Sequence, residues 1–255
     1  MKFLSGIVVC GFVAWTFFAG TLRAQDSAAP SLRSDGNTRV SIHGIDIFPV
    51  AGKPFSGSDS IDWTRTLEDG SIVATHQDAK LARDGQGRIY RENVTRFAAN
   101  SNKKSRVKEI VITDPVVHSR TACVMAARQC NVTDYYARTL PARRRMGSFD
   151  NGKRNLARED LGSDAIDGVN VVGTRETLTI NAGVEGNSQP LSITKEFWYS
   201  PDLEVNLSVT RKDPREGTLV IHVVDLSRSD PDPALFQIPA NFHVDDHRRA
   251  AKSEN

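Results

Sequence analysis

The side chains best able to do chemistry in this 255-residue chain are six histidines and three cysteines. His43, His76, His118, His222, His243 and His247 share no frame with a nucleophile, and neither GxSxG nor HExxH occurs in the sequence. His243-Val244-Asp245-Asp246-His247 has the density of a metal cluster, but it falls where the apolar pattern ends and a charged tail (245–255) begins, so it reads as solvated tail. His222 alternates with Val220 and Val224 on a run that is apolar on both sides, the setting of a hydrogen-bonded core histidine. Asp84-Gly85-Gln86-Gly87 has the glycines of a phosphate loop, yet it joins two strand patterns and opens no helix, so those glycines serve a turn. The sequence therefore predicts no catalytic residue, no metal site and no cofactor.

Two other groups could act. Cys123 and Cys130 flank CVMAARQC; if this segment is a hairpin turning at Ala126-Ala127, they face each other at a distance a disulfide can span, and in another register they remain two buried thiols. Without a CxxC or a zinc-finger spacing, neither redox exchange nor structural zinc is implied. Trp63, Trp198, Tyr199 and Phe236 could line the concave face of a curved sheet and bind an apolar ligand, or could be core beneath the C-terminal segment. Trp198 and Tyr199 are adjacent, so in a strand they point to opposite faces.

The elements that would position these residues are strands. Ile61–Leu67, Ser71–Arg83 and Arg88–Phe97 are joined by Glu68-Asp69-Gly70 and Asp84-Gly85-Gln86-Gly87, tight turns that make them antiparallel neighbours. Val107–Thr113 stops at Asp114-Pro115, and Asp167-Gly168 joins Glu159–Ile166 to Val169–Ile180. Leu203, Val205, Leu207 and Val209 alternate with polar residues, the pattern of a strand with one buried and one wet face. Leu219–Leu226 is apolar on both alternating sets, which predicts an interior strand covered on both faces. Pro231-Asp232-Pro233 ends the pairing, and Ala234-Leu235-Phe236 is expected to form one helical turn that tucks Leu235 and Phe236 under the sheet. Val40–Phe48 reads as an isolated strand. Thr133–Arg158 is read as a basic excursion without periodicity, centred on Arg143-Arg144-Arg145 and solvated between two halves of the sheet.

Lys2 followed by the apolar run Phe3–Gly20 and by Thr21-Leu22-Arg23-Ala24 describes a signal peptide, 1–24, cleaved after Ala24. Cys10 lies inside that run without the small preceding residue a lipobox needs. Residues 25–39 are Ser/Ala/Asp-rich and read as a flexible tail, and 40–244 as a single β-rich domain. A cleaved signal leaves no stable membrane span, an oxidising periplasmic or secreted address, and a chain in which acidic and basic residues balance once Lys2 and Arg23 are gone. Such a chain has no electrostatic case for nucleic acid.

RDGQGRIYRE (83–92), ITDPV (112–116), EDLGSDAIDGVNVVGTR (159–175), EFWYSPDL (196–203) and PDPALFQIPANFHV (231–244) resemble a family of exported bacterial proteins common among acidobacteria. More distantly, the order of elements is similar to the LolA/LolB/RseB-like half-barrel, in which a curved antiparallel sheet cups an apolar ligand such as a lipoprotein acyl chain. The resemblance implies a mainly β fold, a half-barrel with few helices. The chain departs from that pattern in having no amphipathic helix before the first strand to serve as a lid. Together these features predict a non-catalytic binding or carrier module for an apolar or envelope-derived ligand, with lipid, lipoprotein or an envelope protein as partner. The competing readings are an interaction or envelope-sensing domain without a small ligand and, third, a hydrolase with an unrecognised site.

Overall fold

The computed structural model describes residues 40–137 and 144–249; the predicted signal peptide and tail, the centre of the basic excursion (138–143) and the last six residues lie outside them. The chain forms β1 (Phe55–Thr66), β2 (Ile72–Arg83), β3 (Ile89–Val94), β4 (Phe97–Ala98), β5 (Val107–Asp114), β6 (Ser119–Val124) and β7 (Gln129–Asp134). It continues through β8 (Gly147–Phe149), β9 (Arg154–Ile166), β10 (Val169–Ile180), β11 (Leu191–Ser200), β12 (Val205–Asp213), β13 (Gly217–Ser227) and β14 (His243–Asp246), with a 3-10 turn at Pro233–Phe236. All belong to one open, curved sheet in the order β14-β7-β6-β5-β3-β2-β1-β13-β12-β11-β10-β9-β8, with β4 attached to β2. Every pairing is antiparallel except β14 with β7.

Two meanders, β1–β7 and β8–β13, meet at the β1–β13 pair, where Ile61 stands opposite Ile221 and Trp63 opposite Leu219. The meanders follow from turn chemistry. Asp167 and Gly168 both adopt positive φ (48° and 74°), the type I′ geometry that matches strand twist. Asp84 accepts hydrogen bonds from the Gln86 and Arg88 backbone N–H groups (3.0 and 2.8 Å) and so closes its own turn. At the β12–β13 turn Gly217 (φ +93°) cannot be replaced, because a Cβ there would stand 2.1 Å from the Thr64 carbonyl oxygen of β1.

The main core lies on one face, called here the inner face, where Phe55, Ile61, Leu81, Phe197, Leu207 and Ile221 pack together. A second, smaller core lies on the outer face of β2, β3 and β5: Ala82, Tyr90 and Ile112 are covered by Phe236 from the 3-10 turn, with the Arg88 guanidinium 4.8 Å from the Phe236 ring centroid. Asp232 caps that turn by accepting from the Ala234 N–H (2.9 Å). From there the chain crosses to the far edge of the sheet and adds β14 beside β7. Cys123 and Cys130 face each other across β6 and β7 and are bonded, in the register the hairpin reading requires.

Several expectations are corrected. Val40–Phe48 forms no strand beyond an isolated Ser41–Gly44 bridge; it is an arm laid over the inner face, where Ile45 is buried. The run Leu219–Leu226 is central in the sheet but covered on one face only: Leu219, Ile221 and Val223 are buried while His222 and Val224 are exposed, so His222 is no core histidine. In β12 the face expected to be wet is closed, with Asn206 and Ser208 each 4% exposed. The basic excursion is shorter than its composition implied, since Thr133–Asp134 complete β7 and Arg154–Arg158 open β9. The supposed C-terminal tail begins as a strand, because pairing with β7 satisfies its backbone to Asp246.

Phe236→Ala removes the lid of the second core and is expected to cost about 3–5 kcal/mol in urea unfolding; a loss near zero would show that the ring is not packed as core.

Candidate functional site

The arm from Val40 to Pro54 organises the inner face. Asp59 of β1, 1% exposed, accepts a hydrogen bond from the Ile45 N–H (2.9 Å), and Arg91 of β3 reaches both the Asp59 carboxylate (3.0 Å) and the Ile45 carbonyl. Gly44 (φ +124°) makes this approach possible, since a Cβ there would lie 2.0 Å from Asp59 Oδ2. Further along, Arg83 of β2 is fully buried and donates to the carbonyls of Phe48 (3.0 Å), Lys53 (2.9 Å) and Leu203. Burial pulls the Arg83 guanidinium down to about 10, against the attraction of Glu204, so it stays charged at neutral pH.

Beside this arm the inner face of β2, β3, β5 and β6 is not filled. A groove of about 980 Å³ opens there, with Ile47 of the arm, Ala79, Ile89 and Val111 supplying apolar surface. Ser41 and His43 form one wall, and Tyr135 and Tyr136, just past β7, form the other. Lys108 and Arg120 reach the groove with no ion pair among the described residues; Arg91 is tied to Asp59, and Asp134 and Glu92 supply acidic groups. Such a lining suits a molecule with an apolar body and a polar, anionic end.

Desolvation dominates the Asp59 carboxyl and pushes it up to about 6, although Arg91 and the Ile45 N–H favour its charged form. Its Oδ1 has no hydrogen-bond partner among the described residues. Asp46 of the arm adds repulsion.

On the outer face, His76 stands between Asp62 (2.8 Å) and Asp78 (3.0 Å). Burial lowers its pKa, but the two carboxylates outweigh that effect and leave it raised. A smaller cavity of about 530 Å³ lies next to it, lined by Lys80, Phe97, Lys103 and Lys104 among others. Sequence reasoning overlooked this cluster; the Asp62–His76 contact depends on cross-strand register, although Asp78 at i+2 shares the histidine's face and was visible. Among the described residues no three His, Cys, Asp or Glu side chains are placed to share a metal ion, and no helix is long and apolar enough to cross a membrane.

The four aromatic candidates are not brought together. Trp63 packs at the end of the main core, its indole N–H donating to the Glu216 carbonyl (2.9 Å). Tyr199 is 3% exposed, and the Trp198 ring lies against Gly173 and packs on the margin of the main core. Phe236 covers the second core, and none of the four lines either cavity. Tyr135 and Tyr136, which do line the groove, were passed over because they fall in the stretch read as a patternless excursion.

Among solved structures, the chain is similar to an uncharacterized conserved protein from Thermus thermophilus, at 10% identity over 78% of this chain and 91% of that one, with a TM-score of 0.39. It is also similar to a structure of the Pseudomonas aeruginosa MucA/MucB complex (13% identity, 75% of this chain, TM-score 0.35), of which it spans 58% of the matched chain. A third is the Mycobacterium tuberculosis lipoprotein LppX (12% identity, 69% of this chain and 87% of that one, TM-score 0.25). No family model matches the chain, and no curated protein does. The likeness is one of fold.

Asp59 generates a pH test. Its folded carboxyl titrates near 6 against an ordinary 3.8, so the folded chain binds the proton preferentially; this stabilisation is complete below 3.8 and is lost as pH rises through 6. The difference amounts to about 3 kcal/mol. Asp59→Asn keeps an acceptor for the Ile45 N–H and should flatten the pH dependence of urea stability between 4 and 6; an unaltered slope would exclude Asp59 as its source.

Proposed function

We propose that this protein is an exported, non-catalytic binding or carrier module that takes an apolar or amphipathic, envelope-derived ligand into the inner-face groove. The observation that carries the reading is the groove itself. Next to the main core, the surface over Ala79, Ile89 and Val111 opens to the groove, and it is bounded by two tyrosines and by Lys108 and Arg120, which have no ion pair among the described residues. An unfilled apolar floor costs dispersion contacts that a ligand would restore. A lipid or lipoprotein acyl chain fits the floor, and an anionic head fits the rim. The arm lies over the inner face beside the groove, and Asp59 and Arg91 hold it there.

A second reading, an interaction domain for an envelope protein without a small ligand, is favoured by a different feature. β8 pairs only with Arg154–Leu156 of β9, which leaves the outer backbone edge of residues 157–166 without a neighbouring strand among the described residues. An extended segment of a partner could add there by strand pairing.

The two readings separate experimentally. Protein purified from its export compartment should carry an extractable amphiphile visible by mass spectrometry, and Val111→Arg should reduce it about tenfold or more while leaving the circular dichroism spectrum intact, the effect of a charge on apolar contact. Purified protein with a clean, ligand-free extract, or an unchanged yield from Val111→Arg, would overturn the carrier reading.

A further inference from the structure

Away from the groove, four strands meet in one register row on the inner face: Arg158 of β9, Glu176 of β10, Lys195 of β11 and Arg211 of β12. Residues directly opposed on antiparallel strands have Cβ atoms about 4.5–5.5 Å apart, and like charges so placed repel. The row sets Lys195 directly beside Arg211. The one carboxylate in it is engaged, since Glu176 Oε1 accepts from Arg158 Nη2 (2.6 Å) and Nε (3.1 Å). Arg211 is satisfied by Asp213 (2.9 Å) and by Glu216.

Lys195 is left over. It is half-buried, and its ammonium has no hydrogen-bond or ion-pair partner among the described residues. Burial, then the repulsion of Arg211 and Arg144, draw its pKa down in spite of the attraction of Glu176. Arg144 lies close by, anchored where its carbonyl accepts from Arg158 Nη2 (3.4 Å) and its guanidinium stacks on Phe149 (4.5 Å to the ring centroid). As packing, the arrangement is poor: a half-buried ammonium set between the Arg211 guanidinium and a Glu176 carboxylate already engaged by Arg158 is only partly compensated and costs stability that a neutral side chain would not. As a receptor for an anion it is well formed, because one added oxyanion would neutralise Lys195 and accept from Arg144 together.

We propose that Lys195, with Arg144 at its side, binds a phosphate-type oxyanion, either free phosphate or the headgroup of an anionic lipid. Arg158 and Arg211 act as positioning residues that hold Glu176 and Asp213 away from the lysine. The site shares no residue with the groove, so it stands or falls apart from the groove ligand.

The test follows the Lys195 side chain by NMR in the full chain while inorganic phosphate is added, alongside thermal stability. Saturable movement of the Lys195 Cε and Nζ resonances is expected. Phosphate should raise the melting temperature of wild type and of Lys80→Met, an outer-face control, and binding should weaken about tenfold or more in Lys195→Met, a change of about 1.4 kcal/mol. In phosphate-free buffer Lys195→Met should be at least as stable as wild type, and Lys195→Arg should retain binding. Vesicles distinguish the source: retention on phosphatidylglycerol but not phosphatidylcholine, lost in Lys195→Met and with no response to inorganic phosphate, identifies the lipid headgroup. A Lys195 resonance that neither phosphate nor phosphatidylglycerol moves overturns the proposal. So does a Lys195→Met protein that binds like wild type or is less stable without phosphate.

Discussion

A guanidinium withdrawn from water joins three parts of this chain that are otherwise far apart. Arg83 ties its own strand, β2, to the arm through the carbonyls of Phe48 and Lys53 and to the β11–β12 corner through Leu203, and it stacks on Phe55, 5.0 Å to the ring centroid. Each partner is a backbone carbonyl that would itself be costly to bury unpaired. The planar fork of an arginine can satisfy three at once, whereas lysine presents one ammonium on a flexible stem. Glu204 supplies charge compensation while bonded to Lys53 (2.8 Å). The position of the arm, and hence one wall of the groove, depends on that junction.

The two faces divide their tasks. The inner face of the β8–β13 meander is packed, and the β1–β7 meander is braced from behind by the second core and covered only in part by the arm in front. The arm is held both by Ile45, buried in the main core with Val40 and Ile47 packed against it, and by the Asp59 and Arg91 bonds at its centre.

How much could be read from residues alone follows from the range of the interactions. Asp-Gly turns, the Cys123–Cys130 hairpin and the Pro233–Phe236 turn were legible because each is encoded within a few residues. The arm was misread as a strand because Ile45 and Ile47 alternate like one, while what fixes them is Asp59 and Arg91, contributed by β1 and β3. His222 looked like core because Val220 and Val224 are apolar, but half-exposed valines on a sheet surface are ordinary. The groove, and the row at Lys195, depend on the exact pairing register of successive strands, including the bulge at Gly173–Thr174, which composition cannot reveal.

The last strand carries one more implication. β14 lies against β7, more than a hundred residues earlier, and the 3-10 turn that leads to it seals the back of β2, β3 and β5. A chain emerging from its amino end therefore exposes the unpaired margin of β7 and the bare Ala82–Ile112 patch until almost all of it has been delivered. Contacts of such high sequence separation form late and leave intermediates with sticky surface. Completion of this domain is thereby coupled to the arrival of β14, the last of its strands to be made.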